Sequence, residues 1–155
     1  MWKQIFKTTI IAGTLDILAA FVQAYIINKV SPDVVLKYIA SGVFGKEAFE
    51  GNFNMIFAGL VFHFIIAFAC TATFFVLYPK LKFLHHKILL NSLIIALIAW
   101  IVTTQIIMPL SKVGRSSFEF VKALRGITIL IVCVGLPIAY SAKQFLVNQN
   151  INVTS

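Results

Sequence analysis

This chain of 155 residues predicts an all-α fold, an integral membrane four-helix bundle with short interfacial helices in its first and third connections. Three observations carry that expectation. The chain is 60% apolar, with a mean hydropathy of +0.95. Charged residues make up only 12%, about half of the ~25% usual in soluble domains. The apolar residues gather into four runs, each close to the about 20 helical residues that cross a ~30 Å hydrocarbon core. Such a chain cannot clothe a water-facing surface, which excludes a soluble enzyme, a disordered tail and a collagen-like fibre. Lipid offers the backbone no hydrogen-bond partners, so runs of this length are read as helices.

The spans are expected at residues 5–27, 53–78, 88–108 and 126–147, forming a single transmembrane domain over 1–155. Pro79 and Pro109 punctuate the second and third, and Asn148-Gln149-Asn150 closes the fourth. The first has a rival reading as a secretory leader, with Lys3 and Lys7 ahead of it and Val22-Gln23-Ala24 as a small-x-small site. Its length and the central Asp16 favour a retained span.

In the first connection, Pro32 and Asp33 read as a helix N-terminus capped by Ser31. Val34, Val35, Tyr38 and Ile39 fall on one side, as in a helix lying along the interface, with Gly42 and Gly45 as breaks and one more turn over Lys46 to Glu50. The second connection, Lys80 to Lys87, is short and basic. It contributes Lys80, Lys82, His85, His86 and Lys87 at headgroup level. The third ends in another expected interfacial segment, in which Phe118, Val121 and Leu124 alternate with Lys122 and Arg125. Arg115 lies just ahead of it.

The net charge of +8 is read as loops resting on anionic headgroups rather than as nucleic-acid contacts. Lys3, Lys7, Lys80, Lys82, Lys87 and Lys143 share one side with no acidic residue. The opposite side spreads seven basic residues over longer connections that also carry Asp33, Glu47, Glu50 and Glu119. Density in the short segments favours cytoplasmic termini.

Polar residues inside the spans are the candidate site. Asp16 sits eleven residues from each end of its run, where a carboxylate costs about 3 kcal/mol or more. Thr9, Gly13, Asp16, Ala20 and Gln23 share one face, small or polar throughout, which suits helix association. At about 1.5 Å per residue, Asp16 and His63 differ by only ~6 Å in depth, so a direct or water-bridged pair is expected. Such a pair suits a proton or ion site, while the alternative is a staple between helices. Thr103 and Gln105 of the third span extend a conceivable polar lumen with Asp16, Gln23 and His63. Gly135 and Pro137 predict a kink in the fourth span.

No cofactor or metal set is expected. Haem between helices needs two axial ligands, and His63 is the single histidine within a span. Cys70 and Cys133 form no CxxC pair and are read as small core residues at different depths, roughly 12 and 21 Å from the terminal side. Gly114-Arg115-Ser116-Ser117 is a weak phosphate-turn pattern.

Ala40-Ser41-Gly42-Val43-Phe44-Gly45 continuing to Ala48-Phe49, Leu60-Val61-Phe62-His63-Phe64, Met108-Pro109-Leu110-Ser111 and Gly135-Leu136-Pro137-Ile138-Ala139 carry a resemblance. Together they resemble a group of small bacterial four-helix inner-membrane proteins of YagU-like type. The resemblance implies a bacterial source, four spans, and a role for the connection around Ser41 to Phe49 and for His63. It brings no catalytic residue. The expectation is a non-catalytic accessory or structural subunit of the bacterial inner membrane, packing with itself or a larger complex. The alternative is a proton-coupled small transporter or channel using Asp16 and His63, its small-molecule substrate unspecified.

Overall fold

The computed structural model describes residues 1–51, 53–80, 87–107 and 119–154, and all regular structure among them is helical. Helix α1 spans Trp2–Asn28, slightly beyond the expected run at both ends. It closes on Lys29, whose left-handed backbone (φ 56°) lets its N–H reach the carbonyls of Ala24 and Tyr25. Ser31-Pro32 then forbids continuation, because the residue before a proline is pushed out of helical backbone.

Helix α2, Pro32–Phe44, starts where Ser31, Pro32 and Asp33 predict, with Ser31 extended at the cap. It runs through Gly42 and stops at Gly45, whose φ of 71° favours glycine. A single turn, α3 (Glu47–Glu50), follows. The side expected along the interface, Val34, Val35, Tyr38 and Ile39, is half-buried to exposed, and another side of α2 packs on the protein. Leu36, Ala40 and Ser41 are buried against the protein, and Tyr38 is exposed. Packing decides this face, since α2 lies along α4 (Phe53–Leu77) and makes its main contacts there.

The glycine at position 59 explains how closely the two approach. A Cβ built on Gly59 would stand 2.0 Å from the Leu36 carbonyl oxygen. A Cα–Cβ bond is about 1.5 Å, so Gly59 Cα and that oxygen are no more than about 3.5 Å apart, the spacing of a Cα–H···O contact. Phe44 stacks on Phe62 nearby, with ring centroids 6.0 Å apart.

After α4 comes a tight turn, Tyr78–Lys80. Helix α5, Ile88–Ile101, continues into a widened π turn over Val102–Ile107, which places the third apolar run close to the expected 88–108. The fourth run departs from expectation. The amphipathic segment around Phe118 to Arg125 is not a separate interfacial helix among the described residues. Helix α6 (Phe120–Leu130), a π turn (Ile131–Gly135) and α7 (Leu136–Thr154) follow one another without interruption. Lys122 and Arg125 therefore ride on the first two turns of the fourth helix itself. The π turn sits where Pro137 requires a local change, because proline supplies no N–H to the Cys133 carbonyl and its ring crowds that oxygen.

Among the described residues, three helices are long and apolar enough to cross a membrane: Trp2–Asn28, Phe53–Lys80 and Phe120–Phe145. Ile88–Thr104 is a shorter apolar helix. Helix α1 lies centrally, against α4 on one flank and the π turn and α7 on the other, while α5 packs chiefly on the fourth helix. At Gly135 a Cβ would stand 2.4 Å from the Ser92 carbonyl, so backbone meets backbone there too.

The packed core occupies the end nearest the termini. Ile5, Phe75, Tyr78, Ile95, Ile138, Ala139 and Ala142 interlock there, with Phe75 tilted against Phe145 at 6.0 Å. At the opposite end α1 touches α6 only lightly, and α2 wedges against α4. Among the described residues, the bundle is closed at one end and opens between α1 and α6 at the other.

Candidate functional site

The polar face expected on α1 is its packed face. Thr9 and Gly13 are buried, and Asp16, Ala20 and Gln23 are half-buried. Gly13 is required there: a Cβ would meet Phe64 Cε1 of α4 at 2.8 Å and Ala67 Cβ at 3.4 Å. This close approach brings the α1 backbone within reach of a side chain from α4. His63 Nε2 donates to the Gly13 carbonyl over 2.8 Å. Because a carbonyl only accepts, Nε2 carries the proton in this bond. The ring packs edge-on to Phe64, 5.4 Å between centroids.

Asp16 lies one helical turn beyond Gly13 and makes no hydrogen bond or ion pair with any described residue. The direct Asp16–His63 bond is thus not formed; the imidazole N–H points to Gly13 instead. The carboxyl is nevertheless within Coulombic reach of His63 and of the thiols of Cys70 on α4 and Cys133 in the π turn. Both cysteines are free and half-buried. Thr9 Oγ1, two turns from Asp16 toward the termini, is buried with no hydrogen-bond partner among the described residues.

The remaining expected site residues do not converge on this point. Gln23 is half-buried and turns toward the fourth helix, beside Leu18, Val22 and Arg125. Thr103 is exposed on the widened last turn of α5, and the Gln105 side chain lies outside the described residues. Of the headgroup set, Lys80 and Lys87 are exposed. Lys122 is exposed and paired with Glu119 at 2.7 Å, and Arg125 is half-buried. Lys82, His85, His86, Arg115 and the Gly114–Ser117 pattern lie outside the described residues.

One polar cluster escapes a reading by sequence. Ser141 of α7 receives Gln4 Nε2 at 3.0 Å and shares a 2.5 Å hydrogen bond with Thr8 Oγ1. The signal was the i, i+4 spacing of Gln4 and Thr8, which sets both on one face of α1. What no spacing reveals is that Ser141 faces them. Four further span hydroxyls turn inward on their own helices: Thr71 donates to the Ala67 carbonyl, Ser92 to Ile88, Thr104 to Trp100 and Thr128 to Leu124, each at 2.7–2.8 Å.

Two grooves mark the surface of the described residues. One, of about 460 Å³, runs between α1 and α6. The other, of about 360 Å³, is bounded by Tyr140, Lys143, Gln144 and Val147 on α7. Among the described residues no group of three or more His, Cys, Asp or Glu side chains is placed to hold a metal ion. Comparison of the chain with protein-family models, curated proteins and solved structures finds no match.

Proposed function

We propose that this protein is a small, non-catalytic integral membrane protein whose four apolar helices all cross the bilayer. On this reading it is an accessory or structural subunit that packs with a second copy or a larger membrane complex. The observation that carries it is the His63–Gly13 bond: the one histidine of the spans is committed to stapling α4 to the α1 backbone. Gln4, Thr8 and Ser141 staple α1 to α7 in the same manner. Interhelical bonds of this kind are worth about 0.6 to 2 kcal/mol each, which suits holding helices together. Only 17–22% of each long span is buried within the chain, which leaves broad faces for lipid or partner helices. The bacterial inner membrane, with both termini cytoplasmic, follows from the resemblance and from the lysine density of the terminal side.

Native mass spectrometry of protein extracted gently from its own membrane tests this reading. A stoichiometric partner or a stable oligomer is expected, and a lone monomer under the mildest extraction would overturn it.

The proton-coupled transporter or channel remains a second reading, supported by one observation. Asp16 stands half-buried among His63, Cys70 and Cys133 without a hydrogen bond to any described residue. Asp16→Asn separates the two. Assembly and melting are unchanged if Asp16 only packs, whereas loss of pH-gradient-driven flux in proteoliposomes would establish a carrier.

A further inference from the structure

We propose that the groove between α1 and α6 holds one acyl chain of an anionic phospholipid, whose phosphate is gripped by Arg125. The proposal rests on the membrane-spanning part of the reading above, and not on the accessory role. The groove walls are Leu18, Val22, Ile26 and Ile27 of α1 and Ile129 of α6, with Arg125 as their single charged member.

Its length and position fit a single leaflet. Leu18 lies two residues past Asp16, near the middle of α1, and Ile27 is the last residue but one of that helix. At about 1.5 Å per residue the lined stretch runs roughly 13 Å, close to half of a ~30 Å hydrocarbon core. The fourth helix enters from the end at which α1 leaves, so Arg125, one turn before Ile129, lies on the interfacial side of the apolar walls. A chain lying in the groove would therefore present its headgroup beside the guanidinium.

Charge selects the headgroup. Glu119 is the acidic residue nearest in sequence, and it is engaged by Lys122 at 2.7 Å. No described residue forms a hydrogen bond or ion pair with Arg125. Arg125 is half-buried where it lines the groove, and its guanidinium, extended to the interface, would take a lipid phosphate in the bidentate geometry that lysine cannot reproduce; a zwitterionic lipid sets a cation beside that phosphate, so a net anionic lipid is favoured. The groove exists because α1 follows the π turn and α7 closely but parts from α6 beyond it.

The test is lipid competition. Protein in mild detergent is exposed to equal amounts of phosphatidylglycerol and phosphatidylcholine, and the retained lipid is read by native mass spectrometry. One phosphatidylglycerol per chain is expected, favoured over phosphatidylcholine by about tenfold, the equivalent of one strong charge-assisted bond. Arg125→Gln should bring the two lipids to parity, Arg125→Lys should fall between, and Ile129→Trp should reduce retention of both. Equal phosphatidylglycerol retention by the wild type and Arg125→Gln would overturn the proposal. So would a lipid-free dimer cross-linked through Val22→Cys, which would put a second copy in the groove. Alkaline carbonate extraction separates the two failures. A chain that stays with the membrane but shows no lipid preference loses only the groove assignment, whereas a chain that is released loses the spanning reading as well.

Discussion

Replacing Gly59 by alanine asks whether the backbone contact between α2 and α4 holds that corner of the molecule together. The added methyl would begin 2.0 Å from the Leu36 carbonyl oxygen, 2.8 Å from its carbon and 3.2 Å from its Cα. All three are backbone atoms, so no side chain can rotate aside. Reaching the 3.4 Å at which ordinary contact starts requires α2 to retreat by about 1.4 Å. A gap of 0.5–1 Å already forfeits a quarter to a half of the dispersion between packed atoms, so the Phe44–Phe62 stack loosens as well. Overpacking costs about 1–3 kcal/mol, and the backbone clash argues for the upper end. The better helix propensity of alanine returns about 1 kcal/mol. The expected net loss is about 2 kcal/mol, or roughly 4–8 °C in melting temperature for a chain of this size.

Gly126→Ala is the matched control, since its nearest neighbour is Trp100 at 3.7 Å and an added methyl fits. Thermal melts in one detergent, combined with amide exchange over Pro32–Phe44, measure both. If Gly59→Ala melts with the wild type and leaves exchange in α2 unchanged, the close approach is not what fixes α2.

Three further outcomes follow from individual bonds. His63→Leu removes the donor to Gly13 and should lower stability by about 0.6–1 kcal/mol, with α1–α4 cross-linking weakened but not lost; a melt separates this from a silent change. Ser141→Ala leaves Gln4 and Thr8 without their shared partner at the closed end and should cost about 1 kcal/mol, whereas Ser141→Thr should largely retain it. The Ser31 side chain hydrogen-bonds the Asp33 carboxylate and holds its pKa below the ordinary 3.8, with the α2 backbone and Lys37 assisting. Because the folded pKa is the lower one, this contribution is complete above pH 3.8 and fades as pH falls through the folded value. Ser31→Ala should move the Asp33 titration upward, as followed by carboxyl NMR.

Much of the architecture was legible because lipid imposes it. Apolar length and proline punctuation place α1, α4 and α5, and Ser31-Pro32-Asp33 places the start of α2. Two features were obscured for physical reasons. Glu119, Lys122 and Arg125 make the start of the fourth helix resemble a separate surface segment, yet charges on the first turns of a spanning helix sit at the interface just as well. The apolar positions of α2 were visible, but the inward face follows from Gly59, and only the tertiary approach shows why a glycine stands there. At the candidate site, the shared depth of Asp16 and His63 was readable from residue counting. That His63 would choose the Gly13 carbonyl was not, since backbone acceptors leave no mark in a sequence.

The described helices pack unequally at the two ends of the bundle. At the terminal end the four helices close around Ile5, Phe75, Tyr78 and Ile138, whereas at the other α2 is wedged outside α4 and α6 stands off from α1. On the membrane-spanning reading proposed above, that opening leaves Leu18, Val22 and Ile26 of α1 and Val121 and Leu124 of α6 as apolar flanks that only lipid or a partner helix can cover.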